Sequence, residues 1–248
     1  MSNRIAPKLL AEFIGTFALI FIGAGAGAVV GDGVGLPGLI AIAFAHGLTV
    51  MAFAFAYGSV SGGHFNPSVT VGVLAAGAMG TGEAIGYIVS QLVGGVAGAL
   101  FLSAVLGGTA TGLGTPALAH NLALGATSLT ITPAAGFMIE AVLAFFLVTV
   151  VLSTAVAGRA GNLAPLAIGM TLTLNIIMGG ALTGAAFNPA RALGPMVATG
   201  NFNDAWLYLT APIVGAIVAA LVHTGIARLA HEGTAAAEPS RAAQTPAE

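Results

Sequence analysis

No cysteine occurs among the 248 residues, which excludes disulfides and thiol chemistry without identifying a compartment. Charge is almost as scarce. Six Lys or Arg and eight Asp or Glu make up 6% of the chain, against roughly a quarter in soluble domains. Apolar residues make up 57% and the mean hydropathy is +1.01, so the chain belongs in lipid. A formal net charge of −2 points to no nucleic-acid partner. Nucleotide motifs, metal-ligand clusters and nucleophile constellations are also missing. The sequence therefore suggests no enzyme, no catalytic residue, no cofactor and no metal.

What it does contain is long uncharged runs, enough for spans of about 20 residues. They predict six full spans, near residues 9 to 30, 38 to 60, 83 to 106, 134 to 157, 163 to 182 and 206 to 229. Arg4 and Lys8 ahead of an apolar run also resemble a secretory signal peptide, but Glu12 within the run and the run's length favour a retained first span. Arg4, Lys8, Arg159, Arg228 and Arg241 fall at the N-terminus, between spans four and five, or in the tail. Six crossings put all of these on one side, which the positive-inside bias makes cytoplasmic, with both termini. Arg191 stands apart. Residues 1–230 read as one transmembrane domain and 231–248 as a disordered cytoplasmic tail. The Gly/Thr/Ala-rich stretch from Gly107 to Pro133 is long enough to fold back over a pore mouth.

Two short apolar stretches open with related tetrapeptides, Phe65-Asn66-Pro67-Ser68 and Phe187-Asn188-Pro189-Ala190. Asn is a favoured N-cap and Pro a favoured first helical residue, and the position before a proline avoids helical geometry, so each pair predicts a sharply started half-helix. The repeat extends further. Glu83, Tyr87 and Gly94 recur as Asp204, Tyr208 and Gly215 at a constant spacing of 121 residues, and Glu12 answers to Glu140. Three crossings per half is odd, so halves at about 1–110 and 130–230 must be inverted, with half-helices entering from opposite faces. Such paired interrupted segments mark a substrate path near the midplane.

Over nearly its whole length apart from the tail, the chain resembles the aquaporins, or major intrinsic proteins. Ser61-Gly62-Gly63-His64-Phe65-Asn66-Pro67 and Asn188-Pro189-Ala190-Arg191 match the family's two signature boxes. The resemblance implies an all-α membrane protein of six transmembrane helices plus two re-entrant half-helices. Each monomer would have its own pore for water, in a homotetramer in the cell membrane. Ser68 stands where the first box usually has alanine, and its hydroxyl is expected to bond locally to backbone. Family positions place the outer selectivity filter at His46, Ile176, Ala185 and Arg191. This set departs from the strict water-channel pattern and resembles the plant vacuolar (tonoplast) subgroup. Its wider, less polar opening would admit ammonia, urea or hydrogen peroxide alongside water. Ala192 stands where glycerol facilitators typically have aspartate, which argues against a polyol channel, although Met196 and Leu209 fit neither subgroup.

Each half-helix N-terminus carries about half an elementary charge. Two of them, at about 5 Å and an effective dielectric near 20, oppose a cation by roughly 3 kcal/mol. Dehydration in a narrow apolar channel adds the larger barrier. The Asn66 and Asn188 amides donate to a passing water and break the donor chain a proton needs. Arg191, costly at membrane depth, should face a cavity. Glu12 and Glu140 are either proton-relay carboxylates of a coupled transporter or acceptors for re-entrant backbone, and their equivalent placement favours the second. His64 is expected to steady the first loop, and His46 has the alternative of a packed core histidine. His120 is a candidate at the pore mouth, and Tyr87 and Tyr208 read as packing. Gly94, Gly95 and Gly98, with Gly215 opposite, predict close approach of spans three and six. A non-transporting scaffold is the third function class.

Overall fold

A computed structural model describes residues 5–31 and 35–237. Among the described residues six helices are long and apolar enough to cross a membrane, Ile5–Val30, Gly35–Ser61, Thr81–Leu106, Pro133–Val156, Gly161–Thr183 and Ala205–Ala230. The first span is α1 (Ile5–Ala18), a π-helical turn (Leu19–Ala24) and α2 (Gly25–Val30), followed by α3 (Gly35–Ser61). The half-helix α4 (Pro67–Ala75) precedes α5 (Thr81–Leu106). The second half repeats the order with α6 (Pro133–Val151), extended by a π segment (Leu152–Val156), then α7 (Ala164–Thr183), the half-helix α8 (Pro189–Thr199) and α9 (Ala205–Ala237). The last helix thus runs past the expected start of the tail at His231, and residues 238–248, with Arg241, lie outside the described part, as does Arg4.

Local chemistry sets these boundaries. Thr132 caps α6 by accepting from the Ala135 N–H at 3.2 Å, with Pro133 at the first helical position. Gly184 and Gly200 end α7 and α8 with φ of 79° and 72°, a conformation that only glycine adopts without strain. The outer loop carries structure that composition does not announce, a 3₁₀ turn at Gly112–Gly114 and a hairpin of β1 (Leu122–Leu124) and β2 (Thr127–Leu129), with Ala123 opposite Ser128.

The halves interlock. Helix α4 packs on α9, the last span of the other half, and α8 packs on α5. Small residues permit this: a Cβ on Gly95 would lie 2.6 Å from the Ala190 carbonyl oxygen, and one on Gly72 would meet Val148 and, at 3.4 Å, the Ala216 oxygen. The glycines expected between spans three and six sit elsewhere. Gly94 and Gly98 face the Phe13 and Phe17 carbonyls of α1, and Gly215 faces Ala141 of α6, so the close contacts join α1 to α5 and α6 to α9. A repeat of identical glycines showed where small residues were needed but not which helix lay across from them.

Polarity is distributed inside out. Glu12, Thr16, Ser68, Gln91, Glu140 and Thr183 are buried, while Val29, Leu221 and Leu229 are exposed on the outer surface. A chain surrounded by lipid has this arrangement, with polar groups turned inward to satisfy one another.

Candidate functional site

After Ser61 the chain leaves α3, turns through Gly62 and Gly63 with φ of 89° and 65°, and passes Phe65 at φ 48°. Phe187 repeats this at φ 31° in the second loop. Strained backbone of this kind persists only where the surroundings over-determine it. Here the surroundings are two buried carboxylates. Glu12 accepts from the Ser61 hydroxyl (2.6 Å), the His64 and Phe65 N–H groups (3.0 and 2.7 Å) and the Gln91 amide (2.7 Å). Glu140 accepts from the Thr183 hydroxyl (2.6 Å) and from the Ala186 and Phe187 N–H groups, the former at 3.0 Å. All of these oxygens are engaged with loop donors.

Tyr87 and Tyr208, expected as packing, do more. Their hydroxyls donate to the Ser61 and Thr183 carbonyls at 2.8 and 2.7 Å and tie the start of each loop to α5 and α9. Gln91 was missed: its amide nitrogen also donates to Thr70 at 2.9 Å, bridging Glu12 to α4. His64 adds its Nδ1 contact with the Thr70 hydroxyl at 3.0 Å and stacks edge-on against Tyr87.

Asn66 and Asn188 are the N-caps of α4 and α8, in extended conformation, with Pro67 and Pro189 next. Asn188 Oδ1 accepts from the Ala190 and Arg191 N–H groups at 3.0 and 3.2 Å. Each Nδ2 crosses to the other half, Asn66 to the Phe187 carbonyl at 3.1 Å and Asn188 to the Phe65 carbonyl at 3.0 Å. These partners fix both amides: the oxygen faces its own helix, one amide hydrogen faces the opposite loop, and the second hydrogen remains free to donate.

Ser68 breaks the symmetry. Asn66 Oδ1 receives the Ser68 N–H and the Ser68 hydroxyl, both at 2.8 Å, and the same hydroxyl lies 3.1 Å from the Phe187 carbonyl. It thus serves a side chain and the other half's backbone, not the local helix backbone expected. Ser68→Ala leaves every partner with another donor, so a stability loss of about 1 kcal/mol is expected, with water flow retained. Thermal unfolding in detergent beside stopped-flow permeability checks this, and lost water flow in a stably folded variant would refute it.

The four expected filter residues come from different places, His46 on α3, Ile176 on α7, Ala185 in the loop after it and Arg191 on α8. All are buried, at 3%, 4%, 1% and 6% exposure. Ile176 and Ala185 share one apolar cluster with Ala43 and Val50 of α3. Arg191 donates through Nη1 to the Gly114 carbonyl at 2.7 Å, so the outer loop reaches the guanidinium through its 3₁₀ turn. Only the glycine richness of that loop hinted at this contact. His46 Nδ1 lies 2.9 Å from the Ile42 carbonyl, which only accepts, so Nδ1 carries a proton, and in the neutral ring Nε2 is the acceptor. His46 Nε2 and Arg191 Nε are buried without a hydrogen-bond partner among the described residues. His120 is exposed ahead of the hairpin, and among the described residues no hydrogen bond joins it to this group.

On the side of the N-terminus a cavity of about 700 Å³ opens among Lys8, Ser61, His64, Glu83, Tyr87 and Ile168, and the Lys8 ammonium pairs with Glu83 at 2.7 Å on its wall. A second space of about 20 Å³, sharing His64 and Ile168 with it, is bounded by Leu19, Val50, Val69, Leu172 and Asn188. A space of that size holds about one water. Among the described residues no group of three His, Cys, Asp or Glu comes together as a metal site.

The family model described as Major intrinsic protein matches residues 2–223. Aquaporin TIP1-2 of Zea mays is 38% identical over 226 residues, covering 88% of this chain and 85% of that protein. Aquaporin NIP1-2 of Oryza sativa subsp. japonica is 38% identical over 216 residues, covering 86% and 69%. Glycerol uptake facilitator protein-like 6 of Lactiplantibacillus plantarum is 39% identical over 224 residues, covering 86% and 94%. The fold matches the X-ray structure of the aquaglyceroporin from Plasmodium falciparum with a TM-score of 0.73 at 24% identity, over 88% of this chain and 94% of that one. Crossed half-helices, inward-turned polar groups and a family match over nearly the whole length lead to one conclusion: the chain is a multi-pass membrane protein of the major intrinsic protein family, the aquaporins.

Proposed function

We propose that the chain conducts water passively, one molecule at a time, between the Asn66 and Asn188 amides, and that ammonia, urea or hydrogen peroxide share the path. The reciprocal bonds from each amide to the opposite loop carry this reading. They hold one hydrogen of each amide away from the pore and leave the other for a passing oxygen. A water accepting from both turns its own hydrogens away, and no donor chain runs through for a proton. The two half-helix N-termini add their positive potential against cations.

A coupled transporter would need an ionisable group free to cycle. Glu12 and Glu140 are instead engaged by loop donors on both oxygens, which supports a purely structural role for each. No enzymatic step is assigned. In the filter, Ile176 and Ala185 bound an opening that Arg191 charges and His46 Nε2 lines with an acceptor. This set suits small neutral solutes that donate hydrogen bonds. Polyol conduction is the second reading, prompted by the similarity to a protein named as a glycerol facilitator, and Ala192 beside Arg191 weighs against it.

Lys8, Arg159 and Arg228 share one side, which we read as cytoplasmic in a cell or inner membrane. An apolar groove of about 530 Å³ between α6 and α7, with Met138, Val142, Phe146 and Leu174 on its walls, is read as the seat of a neighbouring copy in a homotetramer.

Stopped-flow light scattering on proteoliposomes under water, ammonia, urea and glycerol gradients tests the solute assignment, and glycerol flux matching that of urea would reverse it. Mercurials are expected to leave water flow unchanged, because the chain has no cysteine. A thiol-reversible block of the purified protein would contradict the path assigned here.

A further inference from the structure

The first span turns through a π segment, Leu19–Ala24, where a helix gains a residue per turn and changes which side chain faces its neighbour. Gly23 faces His46 of α3. A Cβ built on it would lie 2.7 Å from His46 Cδ2, 2.8 Å from Cγ and 3.0 Å from Nε2. Ordinary carbon contacts are about 3.5 to 4.0 Å, so a methyl group there displaces something by about 1 Å.

Neither helix can retreat. The first span is seated on α5 through glycine contacts, with a Cβ on Gly98 reaching 2.8 Å from the Phe17 carbonyl oxygen. Helix α3 is seated equally tightly on α7, where a Cβ on Gly47 would lie 2.5 Å from the Gly169 carbonyl oxygen. The imidazole is the part that yields. A methyl group on Gly23 therefore drives the ring out of the space it now fills, and α3, which carries the ring, packs against α7, the helix of Ile176.

We infer that Gly23 is a specificity-determining residue of the pore that acts through His46: its missing side chain is the recess that holds the imidazole back and sets the width of the outer constriction. This rests on the assignment of His46, Ile176, Ala185 and Arg191 as the filter. Gly23 is a positioning residue and touches no solute. It is inconspicuous in the sequence, being one of three alternate glycines, Gly23, Gly25 and Gly27, in an apolar run.

The test compares Gly23→Ala, His46→Ala and the double variant in proteoliposomes, with Gly225→Ala, whose added Cβ meets nothing within 4 Å, as a control for glycine replacement. His46→Ala alone is expected to raise ammonia and urea flux. Gly23→Ala is expected to lower both several-fold, with a smaller loss of water flow, and the double variant is expected to behave as His46→Ala. If Gly23→Ala does not fold, the double variant still does, because the ring it would strike is gone. A double variant as impaired as Gly23→Ala, or as unfolded, overturns the inference, since the loss would then not pass through the imidazole. Wild-type fluxes for Gly23→Ala, with altered fluxes for His46→Ala, overturn it while leaving the filter in place. Unchanged fluxes for His46→Ala remove the filter assignment first, and the inference with it.

Discussion

Replacing Glu140 with leucine is expected to abolish water flow and most of the folded protein. The carboxylate takes the Thr183 hydroxyl and the Ala186 and Phe187 N–H groups in a fully buried site. Thr183 has an alternative acceptor in the Gly179 carbonyl at 3.5 Å, but the two backbone donors have none among the described residues. Each stranded donor costs about 1 to 3 kcal/mol, and no bulk water is present at that depth to relieve it. The sum is several kcal/mol, a large share of the roughly 5 to 15 kcal/mol that holds a typical protein together. Glu140→Gln keeps one carbonyl oxygen and should fall between the two. Glu12→Leu strands the Ser61 hydroxyl and the His64 and Phe65 N–H groups, with only Gln91 keeping a second acceptor in Thr70, and should be at least as severe. Monodisperse yield, thermal unfolding and water permeability per folded molecule provide the check. A Glu140→Leu protein with wild-type stability and flow would end the strut reading.

The second large effect concerns solute choice. With Ile176→His and Ala185→Thr together, water flow should persist while ammonia and urea flux fall about tenfold, the factor given by about 1.4 kcal/mol of added barrier. In the proposed filter the two side chains to be replaced only bound the opening. Their replacements add bulk, a donor and an acceptor, which water can use and larger solutes cannot pass. Arg191→Val removes the guanidinium anchored on the Gly114 carbonyl and should admit cations, measured as conductance in planar bilayers. The half-helix ends would still resist them. An unchanged water-to-ammonia ratio in the double variant would show that the filter residues lie elsewhere.

How much of this was legible beforehand follows the range of the interactions. Six spans were readable to within a few residues because hydropathy is a local property, and Asn66 and Asn188 were readable as caps because the next residue is proline. Glu12 and Glu140 were readable because two acids recurring at equivalent depths need a common cause. Contacts closed by tertiary structure were not. Tyr87 reaches the Ser61 carbonyl across 26 residues and Gln91 reaches Glu12 of α1 across 79, and nothing local marks a tyrosine as a strut. Gly114 could not be singled out within its glycine-rich loop because it acts through a carbonyl that every residue has. The outer hairpin pairs only three residues per strand and leaves too short a pattern.

The reciprocal bonds at the centre also bear on direction. On the proposed path a solute at the midplane meets one amide from each half, and reversing its travel exchanges the two. On that path the pair of amides therefore gives no cause for rectification apart from the small asymmetry contributed by Ser68. Any valve-like behaviour must arise at the mouths, which differ: an arginine latched to a loop carbonyl at one end, and a broad chamber walled by the Lys8–Glu83 pair at the other. On the proposed path the centre of this protein is a two-way street, and the direction of traffic is set by the gradient of each permeant.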